Sequence, residues 1–150
     1  MELFDIISND IKEAMKAKDK VALDTLRNIK KVLLEAKTAP GAGDTVSDET
    51  AIKLIQKLVK QGKESAELYQ SQNRTDLAQE ELAQVEVMSK YLPKQMSEEE
   101  VATIVKEIIA QVGAAGPQDM GKVMGVATKQ LAGKAEGKTI STIVKQLLAN

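Results

Sequence analysis

The stretch YLPKQMSEEE, residues 91–100, divides the chain into two helical parts. Pro93 disfavours helical geometry at the residue before it, so a helix is predicted to end there. Ser97 and, three residues later, Glu100 form the pattern of a capping box, which predicts that a new helix begins at this serine. We therefore expect separate groups of helices on the two sides of this stretch.

The N-terminal domain, predicted over residues 1–96, has the apolar spacing of four helices. Apolar residues recur every three or four positions in each of them. A break between the first two helices is predicted at Asp19, a favourable N-cap residue. The Gly- and Pro-containing segment 38–48 is predicted to be a loop, and Ser47 is predicted to start the third helix. Four such helices can share one core as a bundle. The apolar positions are Phe4, Ile7, Ile11 and Met15; Ala22, Leu26, Ile29 and Leu33; Ala51, Ile55, Leu58, Val59, Gly62, Ala66 and Tyr69; and Leu77, Val85, Met88 and Leu92.

The C-terminal domain, predicted over residues 97–150, has three shorter helices. The first is predicted to stop at Gly113, the second to open at Pro117, and a loop over residues 133–138 to precede the third. The fold class is thus all-α, with a four-helix part followed by a small three-helix domain. The apolar positions are Val101, Ile104, Val105, Ile108 and Val112; Met120, Val123, Met124, Ala127 and Leu131; and Ile140, Ile143, Val144 and Leu147.

The composition removes most catalytic and cofactor chemistry. The chain has no cysteine and no histidine, so it lacks a thiol nucleophile, a disulfide and the commonest general base and zinc ligand. We expect no catalytic residue, no metal site and no cofactor. The acidic residues near the N-terminus do not fit a signal peptide, and no run approaches a membrane span. These features predict a cytoplasmic protein without membrane contact.

Two segments imitate a phosphate-binding loop of nucleotide hydrolases. Residues 116–123 have the glycines and the lysine but end in Val123, and residues 132–139 have the hydroxyl of Thr139 but begin with alanine. The true motif needs a strand before the loop and a helix after it, and here a predicted helix precedes each segment. We interpret both segments as helix ends and turns.

The lysines are unevenly distributed. Residues 117–150 contain five lysines against Asp119 and Glu136, a net charge of +3, whereas the whole chain has a net charge of −1. This segment could form a modest phosphate-binding face, and backbone amides at the N-terminus of its first helix would add to anion binding.

Three glycines fall inside predicted helices. Gly62 lies on the apolar stripe of its helix, so we expect a neighbouring helix to approach it closely. Gly121 and Gly125 share one face of another helix, beside Lys122 and Lys129. Close helix–helix packing explains this pair best; the alternative is a flat, lysine-edged surface that a phosphate backbone can approach.

Several short motifs together resemble one family. The segments DMGKVMG (residues 119–125), GKAEGK (133–138) and TIVKQLL (142–148) are similar to the signature of the GatB/YqeY family. In the N-terminal part, MKAKD (15–19), Leu26-Arg27 and YLP (91–93) resemble the free-standing YqeY-like members. The resemblance covers essentially the whole chain.

The resemblance implies a tRNA-facing surface on the C-terminal part. That part is similar to the tail domain of the B subunit of tRNA-dependent amidotransferases, which contacts the tRNA. The RNA-binding residues implied by position are Lys122, Gly125, Lys129, Gly133, Lys134 and Lys138. Family members are often labelled carbon–nitrogen ligases with glutamine as amido-N-donor. That activity is not carried over, because the catalytic cradle and kinase chemistry of the enzyme have no counterpart in this chain.

We therefore hypothesise an accessory protein that binds tRNA or another structured RNA in the transamidation pathway. The scarcity of aromatic residues argues against stacking on single-stranded bases. The alternative is an adaptor that docks on an amidotransferase or an aminoacyl-tRNA synthetase without RNA contact. An independent enzyme is the third hypothesis, and it is disfavoured because the usual nucleophile and base are missing.

Overall fold

The computed structural model describes residues 2–149 as an all-helical chain, which confirms the predicted fold class. Within this range there are seven α-helices, one 3-10 turn at Pro117–Asp119 and no strand. None of these helices combines the length and apolarity needed to cross a bilayer. The α-helices are α1 (Leu3–Ala17), α2 (Lys20–Lys37), α3 (Asp48–Ser71), α4 (Thr75–Ser89), α5 (Glu98–Val112), α6 (Met120–Gln130) and α7 (Gly137–Ala149).

The chain divides into two compact units, with the division between Leu92 and Pro93. The first unit contains α1 to α4, and the second contains α5 to α7. Residues 93–96 therefore lie with the second unit. The predicted division into domains of residues 1–96 and 97–150 stays a prediction.

Helix α2 packs against α1 and α4, and α3 packs against α4, to enclose the core of the first unit. The core is aliphatic, as the composition requires: Ile7, Ile29, Leu33 and Ile55 are fully buried. Burial of side chains of this size contributes about 1.5–3 kcal/mol each. The predicted apolar stripes account for most of this core.

Three predicted helix starts are confirmed by their capping hydrogen bonds. The Asp19 Oδ1 atom accepts a hydrogen bond from the Ala22 amide at 3.1 Å, and the Ser47 Oγ atom accepts one from the Thr50 amide at 3.2 Å. At α5 both halves of the capping box are present, because Ser97 Oγ accepts from the Glu100 amide and Glu100 Oε1 accepts from the Ser97 amide. Local sequence therefore fixes these boundaries.

The expected apolar role of Met15 is wrong. Its side chain is 54% exposed, and Ala14 takes the buried position instead. The buried side of α1 runs through Leu3, Ile7 and Ala14, so Met15 is rotated by about 100° away from the core in the last turn. Because an α-helix has 3.6 residues per turn, positions spaced four apart move gradually around the helix, and at Met15 they have left the buried side.

Gly62 is packed as its place on the apolar stripe predicts. A Cβ atom at this position would lie 2.7 Å from Val85 Cγ2 and 3.7 Å from Met88 Cε. Helices α3 and α4 can approach this closely only because residue 62 has no side chain.

Tyr91 links the end of the first unit to its first helix. Its hydroxyl group donates a 2.6 Å hydrogen bond to Asp10 Oδ2, although the two residues are far apart in sequence. Burial, together with the hydrogen bond to Asp10 and the charge of this carboxylate, raises the pKa of the Tyr91 phenol above its usual value near 10. The folded chain thus favours the protonated phenol.

Tyr91→Phe is expected to lower the free energy of unfolding by about 1 kcal/mol at pH 8. Because folding raises the pKa of Tyr91, its contribution is complete below the unfolded pKa near 10 and is lost as the pH rises above it. The difference between wild type and variant, measured by urea unfolding, should therefore shrink between about pH 9.5 and 11. A difference that stays constant over this range would contradict the assignment.

Candidate nucleic-acid interface

The second unit is built so that one side of α6 faces its core and the other faces solvent. Val123 and Ala127 are fully buried against α5 and α7. The opposite side presents Gly121 and Gly125, both exposed. The helix therefore has a clear inner and outer face, and the implied RNA-binding residues of α6 lie on the outer one.

Gly121 and Gly125 are not packing positions, so the preferred interpretation of this pair is wrong. A Cβ atom added to either residue would meet nothing within 4 Å. The reason is helical phase: both residues lie on the side of α6 away from its buried stripe. The flat-surface alternative remains.

Lys122 and Lys129 border this glycine face. Both side chains are exposed, and the seven-residue separation places them about 10 Å apart along the helix axis. Within residues 2–149 neither of them forms an ion pair. Their ammonium groups are therefore available to an external anion.

The N-terminus of α6 is not arranged to bind an anion, contrary to expectation. Asp119 occupies the N-cap position, and its Oδ2 atom accepts a hydrogen bond from the Ala115 amide at 2.9 Å. Its carboxylate already complements the positive end of the helix dipole and would repel a phosphate there. Anion binding at this surface must rely on the lysines.

The loop between α6 and α7, residues 131–136, alternates between buried and exposed positions. Leu131, Gly133 and Ala135 are buried, whereas Lys134 is exposed. Gly133 has a φ of 79°, a backbone conformation that only glycine adopts without strain. The loop is thus anchored in the core on both sides of Lys134, and this lysine points outward.

The six implied RNA-binding residues therefore fall into two groups. Lys122, Gly125, Lys129, Lys134 and Lys138 are exposed. Gly133 is buried, so its contribution is to the conformation of the loop. Lys138 lies in the first turn of α7, directly after the loop. We call the exposed five residues together with Gly121 the lysine–glycine surface.

Sequence reasoning missed Gln95. Its side-chain amide donates to the Gly133 carbonyl at 2.8 Å and to the Pro93 carbonyl at 2.9 Å. The Met96 amide donates to the Lys134 carbonyl at 2.9 Å. No sequence pattern signals such a bond, because it joins a side chain to a backbone carbonyl 38 residues away.

The groups exposed at this surface are ones that can bind an anion. The surface offers ammonium groups, a bare stretch of helix and exposed backbone. Within residues 2–149 no three acidic side chains come close enough to hold a metal ion.

The model of the YqeY-like protein family matches residues 4–148. The chain belongs to the YqeY-like family. Among curated relatives, it is 32% identical over 129 residues to altered inheritance of mitochondria protein 41 of Pyrenophora tritici-repentis, covering 84% of this chain and 69% of the relative. The protein of the same name from Meyerozyma guilliermondii is 32% identical over 123 residues, covering 80% and 64% of the two chains. This YqeY-like chain thus spans about two thirds of the length of these relatives.

A third similarity concerns the tail of the YqeY-like chain. Over 55 residues it is 42% identical to the E subunit of the glutamyl-tRNA(Gln) amidotransferase of Thermococcus gammatolerans. The match covers 34% of this chain and 9% of that protein. It agrees with the resemblance to an amidotransferase tail domain, and it leaves out most of the length of the T. gammatolerans protein.

The prediction of a cytoplasmic location is wrong by these comparisons. Three relatives, from P. tritici-repentis, M. guilliermondii and Lachancea thermotolerans, are mitochondrial proteins by name. The prediction rested on acidic residues near the start of the chain and on the lack of a long apolar run. Neither feature distinguishes one aqueous compartment from another.

Proposed function

We propose that this YqeY-like protein binds tRNA or another structured RNA through the lysine–glycine surface, as an accessory protein of tRNA-dependent amidation. The observation that carries the proposal is the exposed glycine pair of α6. Gly125 lies in the interior of α6, where glycine costs about 1 kcal/mol relative to alanine, and Gly121 lies in the first turn of the same helix. Because a Cβ atom at Gly121 or Gly125 would meet nothing within 4 Å, packing inside the chain does not account for this cost.

A close external partner would account for the glycines. Because residues 121 and 125 have no side chains, a partner can reach the backbone of α6 at these positions. Glycine commonly permits such a close approach of a ligand to the backbone. Lys122 and Lys129 stand beside this cleared strip, and both are exposed. A lysine-bordered strip open to backbone contact is suited to a sugar-phosphate chain.

The distribution of aromatic residues favours a folded RNA over a single strand. Phe4, Tyr69 and Tyr91 are the only aromatic residues of the chain, and all three precede the second unit. Single-stranded bases are usually held by stacking on aromatic rings. The second unit has none, so recognition would rest on phosphates, 2′-hydroxyl groups and shape.

The similarity to the T. gammatolerans protein supports the choice of tRNA among folded RNAs. That protein is by name part of a glutamyl-tRNA(Gln) amidotransferase, and its similarity to this chain lies in the tail region. The alternative, an adaptor that docks on an amidotransferase or a synthetase, would share this similarity but would not need the exposed lysines.

The proposal is tested by the binding of purified, labelled tRNA across a salt series from about 50 to 300 mM KCl. Lysine–phosphate contacts release counterions, so the affinity should fall linearly in a double-logarithmic plot, with a slope near −0.9 for each phosphate neutralised on a duplex. The absence of binding at the lowest salt would overturn the proposal in favour of the adaptor. Salt-independent binding would overturn the phosphate mechanism.

The double variant Gly121→Ala/Gly125→Ala should have opposite effects on folding and on binding. We expect the free energy of unfolding to rise by about 1.5 kcal/mol, because alanine is the better helix former. The affinity for tRNA should fall about fivefold, equivalent to about 1 kcal/mol, because two methyl groups hold the RNA backbone away. Circular dichroism during urea unfolding and fluorescence anisotropy measure the two effects.

The salt dependence serves as the internal control for this variant. All lysines are retained, so the slope of the double-logarithmic plot should equal that of wild type. A more stable variant that binds tRNA as tightly as wild type would show that the glycine strip has no part in binding.

A further inference from the structure

The segment Pro93–Met96, at the start of the second unit, holds the loop that carries Lys134. Gln95 Nε2 donates to the Gly133 carbonyl at 2.8 Å, and the Met96 amide donates to the Lys134 carbonyl at 2.9 Å. Gln95 Nε2 also donates to the Pro93 carbonyl at 2.9 Å, which fixes the side chain against its own backbone. We call this segment the strap.

The strap supplies hydrogen-bond donors to two carbonyl groups of the loop between α6 and α7. The loop has its own turn bonds, from the Lys134 and Ala135 amides to the Leu131 carbonyl at 2.9 and 3.3 Å. These bonds use the amide groups of the loop as donors, so the Gly133 and Lys134 carbonyl groups need donors from elsewhere. The strap provides one donor to each of these two carbonyls, and the backbone that carries the Lys134 side chain is therefore held on both sides.

We infer that Gln95 is a positioning residue, which orients Lys134 for contact with a phosphate of the bound RNA. The inference rests on the proposed function. Gln95 carries no charge, and its side-chain amide is engaged by two backbone carbonyls. Its effect on binding is exerted through the loop backbone, without contact with the RNA.

The variant that tests the inference is Gln95→Met, which keeps the length of the side chain and removes its donor. We expect the affinity for tRNA at about 100 mM KCl to fall about fivefold, the effect of one hydrogen bond of ordinary strength. Gln111→Met is the matched control, because Gln111 is an exposed residue of α5 outside the surface. It should bind tRNA as wild type does.

A double-mutant cycle with Lys134→Ala separates positioning from general destabilisation. If Gln95 acts through Lys134, Gln95→Met should change the affinity by less than about twofold once the lysine is absent. An equal loss in both backgrounds would overturn the inference, since a weakened second unit would bind less well with or without Lys134. Wild-type affinity of the single variant Gln95→Met would also overturn the inference.

Hydrogen exchange gives a readout that does not depend on RNA. In Gln95→Met the Met96 amide should exchange several times faster, because its acceptor, the Lys134 carbonyl, is no longer held in place. Unchanged exchange would overturn the inference. If wild type binds no tRNA, the proposed function fails and the inference fails with it, whereas a failed cycle with intact wild-type binding overturns the inference alone.

Discussion

Replacing both Lys122 and Lys129 with alanine should weaken tRNA binding about a hundredfold at about 50 mM KCl. A hydrogen bond to a charged group contributes about 1.5 kcal/mol or more, so the loss of two such contacts amounts to about 3 kcal/mol. Both side chains are exposed and neither forms an ion pair within residues 2–149. Truncation should therefore leave the fold intact, with a change in unfolding free energy within about 0.5 kcal/mol.

The salt dependence of the double variant identifies the cause of the loss. Two fewer phosphate contacts should reduce the steepness of the double-logarithmic plot by about 1.8. The affinities of wild type and variant should therefore approach each other as the salt concentration rises. Anisotropy titrations at five or six salt concentrations measure both quantities on the same samples.

The matched control is Lys57→Ala/Lys60→Ala in α3. This pair removes the same charge from exposed positions on one helix of the first unit. It should reduce tRNA affinity less than about threefold, the effect expected of a general change in net charge. Equal losses in the two double variants would show that tRNA responds to the charge of the whole protein and not to α6.

Much of the fold could be predicted because local signals agreed with the apolar pattern. Each predicted N-cap side chain accepts a hydrogen bond from a backbone amide in the first turn of its helix, and this holds for Asp19, Ser47 and Ser97. The error at Met15 arose where no such signal constrained the phase of the helix. Capping residues fix a boundary within one residue, whereas a stripe fixes only an average direction.

The candidate site was harder to predict, for two physical reasons. The lysines could be proposed from charge and resemblance, but exposure depends on which side of α6 is buried. For Gly121 and Gly125 the exposure was predictable, because the apolar residues Val123 and Ala127 lie on the opposite side of the helix. The role of Gln95 depends on a contact with a distant backbone carbonyl, which leaves no periodic or compositional trace in the sequence.

Gly62→Leu is the prediction with the largest expected effect on stability. A Cβ atom at this position would lie 2.7 Å from Val85 Cγ2, and the valine side chain has little freedom to move aside because it is β-branched. Helices α3 and α4 would have to separate. Overpacking of this kind costs about 3 kcal/mol, more than the gain of about 1 kcal/mol from replacing a helical glycine.

The expected net loss, about 2 kcal/mol, should lower the melting temperature of the first unit by roughly 10 °C. Tyrosine fluorescence reports this unit selectively, because Tyr69 and Tyr91 both belong to it. Gly125→Leu is the matched control: the same substitution on the open face of α6 should leave the stability of the second unit unchanged or slightly higher, as followed by circular dichroism. Similar losses at both positions would contradict the assignment of Gly62 as a packing residue.

The cause of the loss at Gly62 can be isolated by removing the methyl group that a new side chain would meet. Gly62→Ala and Val85→Ala should each destabilise the first unit, the first by overpacking and the second by creating a cavity. In the double variant the added methyl group occupies part of the space that the valine leaves. The double variant should therefore be more stable than the sum of the two single effects predicts, by at least about 0.5 kcal/mol. Strict additivity would mean that residues 62 and 85 do not press on each other, and that glycine at position 62 has another cause.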